Sequence, residues 1–276
     1  MVDVSVSTPR ASARLARRQG PDVFWRGVAL PSVLVLTWAV VAHLGLVDSH
    51  LLVAPGRVLA LPFVDEAGAE VWLALGASVL RMIAGFAIGG AAGLWLGLAM
   101  GLSPTTDRAV GPTFHALRQI TLFAWIPLLT AWFGNGEASK IVYVAMSAFF
   151  PVALNTEQGL RQIPVHFIEV ARVVQLSRWR RITRLLLPGA LPSIFIGAQI
   201  GLITAWIGTI GAEYAMGVGR GVGTFIVAGR EQFRMDVVLL GVVVLALVGY
   251  AANLACGRVF RCLLHWQGNA AWSSGR

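Results

Sequence analysis

Apolar residues fall in long uninterrupted blocks along this chain. Uncharged windows cover residues 28–46 (VALPSVLVLTWAVVAHLGL), Met82 to about Leu102, 120–134 (ITLFAWIPLLTAWFG), 141–156 (IVYVAMSAFFPVALNT), Leu185 to Ala212, and 237–257 (VVLLGVVVLALVGYAANLACG). Crossing a bilayer as a helix takes about 20 apolar residues. The pattern therefore predicts an all-α fold, a polytopic membrane helix bundle of about six transmembrane helices, with five as the competing count. The third and fourth windows are short, and their boundaries are the least defined. In the second window five glycines recur at every fourth position, Gly85, Gly89, Gly93, Gly97 and Gly101. Lipid gives helices no hydrophobic reason to associate, so close backbone approach must supply the contact. The stripe predicts a helix that packs along a crossing partner for most of its length.

Between the fourth and fifth windows the pattern changes. Residues 157–184 form a polar insert with arginines at 161, 172, 178, 180, 181 and 184. Pro164 can open a helix there, and the next proline is Pro188. Phe167, Ala171 and Val174 share one helical face, and Glu169 and Arg172 have the spacing of an i,i+3 pair. Ser177 can cap a second short helix. The insert thus predicts two short helices joined near Gln175. Such an element either rests on lipid or docks a partner.

Composition agrees with a membrane protein: 57% of residues are hydrophobic, 13% are charged, and mean hydropathy is +0.72. Soluble domains carry about 25% charged residues. The net charge of +9 and pI near 11.1 do not indicate a nucleic-acid partner, because the basic residues occupy the gaps between apolar windows. There they set topology and meet lipid headgroups. With the N-terminus inside, the inner segments hold 15 basic residues and the outer ones 5, leaving Arg81 and Arg118 aside as boundary residues. Both termini are expected in the cytoplasm. Residues 1–26 read as a cytoplasmic tail, 27–265 as the transmembrane domain carrying the insert, and 266–276 as a C-terminal tail. Cys256 and Cys262 are the only cysteines, and their separation does not favour a disulfide. The apolar windows carry no charge near their middles, which argues against ion coupling within the membrane.

The run from Glu169 to Ser177 (EVARVVQLS), followed by Leu-Leu-Leu-Pro ending at Pro188, resembles the EAA signature of permease subunits of bacterial ATP-binding-cassette (ABC) importers. Residues 78–86 (SVLRMIAGF), 124–141 (AWIPLLTAWFGNGEASKI), 171–193 (ARVVQLSRWRRITRLLLPGALPS) and 233–241 (FRMDVVLLG) resemble the type I branch that serves nitrate, sulfonate, taurine and bicarbonate. The likeness covers about residues 50–262. It implies a MetI-like ABC permease fold with cytoplasmic coupling helices in the bacterial inner membrane, and a second permease copy. It also implies a dimer of ABC ATPase subunits and an external substrate-binding protein. No cofactor is expected in this chain; ATP and magnesium would belong to the ATPase. Two residues depart from the signature, Gln175 for its glycine and Val170 for an alanine, and Ile120-Thr121 replaces the usual Pro-Pro. A glutamine at 175 is expected to avoid the strained angles that glycine could adopt.

The resemblance makes Glu169, Ala171, Arg172, Gln175, Ser177, Arg178 and Trp179 the ATPase-coupling candidates. Trp125, Pro127, Trp206, Thr209, Glu213 and Arg220 are the pathway candidates. The glycine-rich turn GVGRGVG (217–223) has backbone N–H groups that could attract an anion beside Arg220. The chain's only lysine is Lys140, in EASKI, so there is no Gly-Lys-Ser/Thr phosphate loop. The five histidines are scattered and suggest neither a metal centre nor a catalytic residue. A stand-alone transporter or channel, and a membrane scaffold, are the rival readings.

Overall fold

A computed structural model describes residues 21–44 and 53–263. Most of the expected N-terminal tail and all of the C-terminal tail lie outside them. The chain divides into two compact units, residues 1–60 and 61–276. In the first, α1 (Pro21–His43) begins within the expected tail. Its Leu30, Val33, Leu34 and Leu36 side chains face outward, and the Trp38 indole N–H donates to the Val53 carbonyl at 3.1 Å. The short α2 (Pro55–Val64) follows.

The second unit is built on α3 (Glu66–Leu102), α4 (Pro104–Leu117), a 3-10 turn (Leu122–Trp125), α5 (Ile126–Phe133) and α6 (Glu137–Arg161). These lead into α7 (Val165–Val173), α8 (Arg178–Arg181), a π turn (Ile182–Leu186), α9 (Leu187–Met216), α10 (Val222–Glu231) and α11 (Met235–Leu263). Among the described residues all regular structure is helical.

Among the described residues four helices are long and apolar enough to cross a membrane: 68–102, 137–161, 178–216 and 235–260. The expected third crossing is instead a bent pair, α4 with 122–133, turning through 93°. Counted as one span, it makes a fifth. The segment 122–133 would reach only about 18 Å as a helix, short of the roughly 30 Å hydrocarbon core. Pro127 in the first turn of α5 has no N–H to continue a helix from the residues before it. The expected first crossing contributes the shorter apolar helix Ala29–His43, so six is an approximate count.

The glycine stripe does what its spacing predicts. Gly85 faces Val144, Gly89 faces Ala145, Gly93 faces Phe149, Gly97 faces Ala153 and Gly101 faces Leu160. The paired numbers rise together, so α3 and α6 run parallel. A Cβ on Gly89 would strike the Ala145 carbonyl. On its other side α6 meets α9 running the opposite way, with Gly208 against Ser147, Gly201 against Val152 and Gly159 against Ser193.

Pro151 lies inside the continuous α6 and cannot donate to the Ser147 carbonyl one turn earlier. The Thr204 hydroxyl of α9 donates to that carbonyl at 2.8 Å. A polar group that lipid could not satisfy is thereby turned into an interhelical bond. Trp206 and Gln199 tie α9 to α11 through the Leu245 carbonyl (3.2 Å) and Asn253 (2.8 Å). Arg161 bridges α6 to α4 by pairing with Asp107 and, at 3.2 Å, with Glu157 of its own helix.

Candidate functional site

Two polar regions lie at opposite ends of α6. At its C-terminal end the insert folds as predicted into two short helices. Ser177 caps α8 by accepting from the Arg180 N–H at 3.4 Å. Helix α7 closes on a left-handed residue: the Leu176 N–H reaches the Ala171 carbonyl at 3.0 Å, and the Gln175 N–H reaches that of Arg172 at 2.9 Å. This bond pair places Gln175 at φ +53°, the position glycine usually takes in such a cap. Glutamine therefore does not avoid the strained angle; the cap's two hydrogen bonds hold it there.

Ala171 is buried against the bundle, while Glu169, Arg172, Gln175, Ser177, Arg178 and Trp179 are exposed. The expected Glu169–Arg172 pair is not formed among the described residues. Nor is the anticipated apolar face continuous. Ala171 points inward, Phe167 lines a cleft of about 530 Å³ with Ile163, Pro164, Leu185 and Pro188, and Val174 is 66% exposed. The surface that remains is mixed: Val170, Val173, Val174 and Trp179 interleaved with unpaired Glu169 and four arginines. After α8 the π turn leads into α9, where the Leu187 N–H reaches back to Ile182. Pro188 follows directly, and its missing N–H coincides with the widened turn.

The other end holds a charge cluster that the sequence reading did not foresee. Arg81, set aside there as a boundary residue, lies near the middle of the long α3 and is 4% exposed. Its guanidinium donates to both Glu137 oxygens at 2.8 Å, pairs with Glu213, and reaches the Arg220 carbonyl at 3.2 Å. The fully buried Lys140 bonds the Val218 carbonyl and lies 3.6 Å from Glu137. Glu213 also accepts from the Ser78 hydroxyl at 2.7 Å and the Gly223 N–H at 2.8 Å, and Ser78 accepts from the Val222 N–H at 2.9 Å. Buried charges persist only when paired and hydrogen-bonded, and here two cations meet two carboxylates. The expectation that apolar spans carry no central charge fails at Arg81, because α3 begins 16 residues before the window that defined it.

The glycine-rich turn already has its anion. The first N–H groups of α10 face Glu213 and Ser78, and a Cβ at Gly221 or Gly223 would collide with the Glu213 side chain. A carboxylate at a helix N-terminus is favoured by the orphan N–H groups and the helix dipole. Glu213 therefore anchors α10. Trp206 and Thr209 are likewise buried, Thr209 bonding the Ala205 carbonyl at 2.9 Å. Pro127 and Arg220 are exposed, and Arg220 lines a cavity of about 270 Å³ with Glu70, Gly217, Gly219 and Thr224. Trp125 is half-buried, and its indole N–H is buried without a partner among the described residues. The proximity of Ser78, Arg81, Glu137, Lys140 and Glu213 was hinted at only by charge at the edges of three apolar windows.

The family model for the binding-protein-dependent transport system inner membrane component matches residues 89–263. The chain is 34% identical over 265 residues to the putative aliphatic sulfonates transport permease protein SsuC of Bacillus subtilis (strain 168), covering 95% of each. It is 33% identical over 242 residues to the taurine transport system permease protein TauC of Escherichia coli (strain K12), covering 86% of this chain and 88% of TauC. The nitrate import permease protein NrtB of Synechocystis is 30% identical over 238 residues, covering 83% and 85%. Among solved structures, a chain of the MetNI methionine ABC transporter in an inward-facing conformation superposes with a TM-score of 0.56 at 25% identity, over 67% of this chain and 93% of that one. With the parallel α3–α6 pair, the helical insert before α9 and these full-length relatives in agreement, the chain belongs to the family of binding-protein-dependent transport system inner membrane components, the permease subunits of ABC importers.

Proposed function

We propose that this chain lines the membrane pathway for a small anionic solute of the sulfonate, nitrate or taurine type, and that a separate ATPase drives it by gripping α7 and α8. The observation that carries this reading is the exposed face of that helix pair. Among the described residues Glu169, Arg172, Arg178 and Trp179 have no side-chain partner, and they lie beside exposed valines. A solvated loop gains nothing from exposing apolar and unpaired charged groups together, whereas a docking face does. Ala171 lets α7 lie close to the bundle, and the Gln175 cap and Ser177 fix the angle to α8.

ATP and magnesium would be held by the ATPase. An external binding protein would deliver the solute to the end bearing Arg220. A second copy of the chain would complete the pathway across the open face of α9, where Ile196, Ile200, Ile203 and Ile207 point outward at helical spacing. The charge asymmetry of the loops supports a multi-pass inner-membrane subunit with both termini cytoplasmic. Of the pathway candidates, Trp125, Pro127 and Arg220 remain accessible to a solute, while Trp206, Thr209 and Glu213 hold the wall in place. The relatives named for sulfonate, taurine and nitrate all concern small solutes that carry a sulfonate or nitrate oxyanion group, which supports the solute class.

Reversing the charge at the docking face tests the reading. Glu169→Lys is expected to reduce co-purification of the ATPase with tagged permease by about tenfold, the equivalent of one or two charge-assisted contacts, and to abolish ATP-driven uptake. Wild-type recovery of the ATPase together with normal uptake would overturn it.

A further inference from the structure

We propose that Arg81 and Lys140 form a binding site for a small oxyanion, closed in this conformation by the Glu137 carboxylate. The two carboxylates on Arg81 are held very differently. Glu213 is fully buried and fixed by Ser78, the Gly223 N–H and Arg81 together. Among the described residues the Glu137 carboxylate is held by the two cations alone, and its side chain is 57% exposed. Its grip on Arg81 is bidentate, 2.8 Å to each oxygen, the geometry that a sulfonate, nitrate or bicarbonate can reproduce on a guanidinium fork.

Charge counting gives the same direction. With Glu137 in place, Arg81, Lys140, Glu137 and Glu213 sum to zero. Once Glu137 swings outward, the remaining three carry a net charge of +1 in a largely buried setting, which favours an incoming anion. Space exists beside the pair. Gly219 separates Glu137 and Lys140 from the cavity of about 270 Å³, and a Cβ there would lie 3.2 Å from the Glu137 oxygen and 3.5 Å from Lys140. Glu70 is the acid in that cavity's lining, and Arg220, in the same lining, offsets its charge. Glu137 thus acts as a removable internal anion, exchanging with solute at the mouth of the bundle. The choice of oxyanion as ligand rests on the anionic-solute reading above; the site itself rests on the geometry.

The test uses the full transporter with its ATPase, reconstituted in nanodiscs without nucleotide, and methanesulfonate as the probe. Glu137→Gln is expected to tighten methanesulfonate binding by about tenfold or more, as one charged competitor is removed. Adding Arg81→Lys should reverse the gain, since the fork is lost. Unchanged affinity in a Glu137→Gln complex that still assembles would overturn the proposal. A second measurement does not need that variant to be stable. With Cys256 and Cys262 replaced by serine, Glu137→Cys should react about fivefold faster with a sulfonate-bearing thiol reagent than with a trimethylammonium-bearing one, as a local positive potential requires. Methanesulfonate should slow the reaction, and faster reaction with the cationic reagent would overturn the site. Both readings are taken without ATP, so a failed anion site is distinguishable from failed ATPase coupling.

Discussion

Gln175 holds a left-handed backbone angle where a residue without a side chain would be free of strain. Left-handed residues other than glycine cost about 1–2 kcal/mol, and glycine returns about half of that through its larger unfolded-state entropy. Gln175→Gly is therefore expected to stabilise the α7 cap by about 0.5–1 kcal/mol. Hydrogen exchange at the Leu176 N–H, which should slow, checks it; faster exchange would show that the side chain itself secures the turn. Phe233 ends α10 in the same way, at φ +55° with 83% exposure. Residue-scale features set by near neighbours were legible in the sequence: the Ser177 cap and the turn near Gln175. The Arg81–Glu213 pair was not, because its partners are 132 positions apart and helical periodicity carries no information about which distant charges meet.

Among the elements, the glycine stripe was the clearest signal, since a repeat of four on one helix can be read without knowing the partner. What it could not disclose was that the partner is α6 or that the two run parallel. The window 120–134 reads as one crossing, yet it supplies only the second arm of the bent pair formed with α4, because hydropathy records how apolar a window is, not how its backbone continues. Likewise, α3 extends well past its apolar window because Glu66 to Arg81 is helical although mixed in polarity. Gly89→Leu puts a side chain where the Ala145 carbonyl lies. Overpacking of this kind costs about 1–3 kcal/mol where neighbours can yield, and more against backbone. The yield of folded, detergent-stable protein should fall severalfold; undiminished yield and melting temperature would mean that the α3–α6 contact is not what holds the bundle together.

For the whole molecule, the arrangement separates two kinds of chemistry along the length of α6: a neutralised charge cluster at one end and an exposed basic helix pair at the other. The orientation proposed from the loop charges can be tested directly. In spheroplasts, with native cysteines replaced, a membrane-impermeant thiol reagent is expected to label Arg220→Cys and to leave Trp179→Cys untouched until the membrane is permeabilised. The opposite pattern would invert the topology and the proposal that α7–α8 meets a cytoplasmic ATPase. Family membership was legible at this scale because the motif order survives even where single signature residues, such as the glycine replaced by Gln175, do not.

The Thr204 hydroxyl on the Ser147 carbonyl has a mechanical meaning. Proline leaves α6 a weak joint at its midpoint, where a free rod would flex under load. By clasping that joint, α9 splints it, and the two helices, already linked through α7 and α8, can tilt only as a single stiff spar. A tug on the basic hairpin then arrives at the far rim as displacement instead of being lost as curvature on the way.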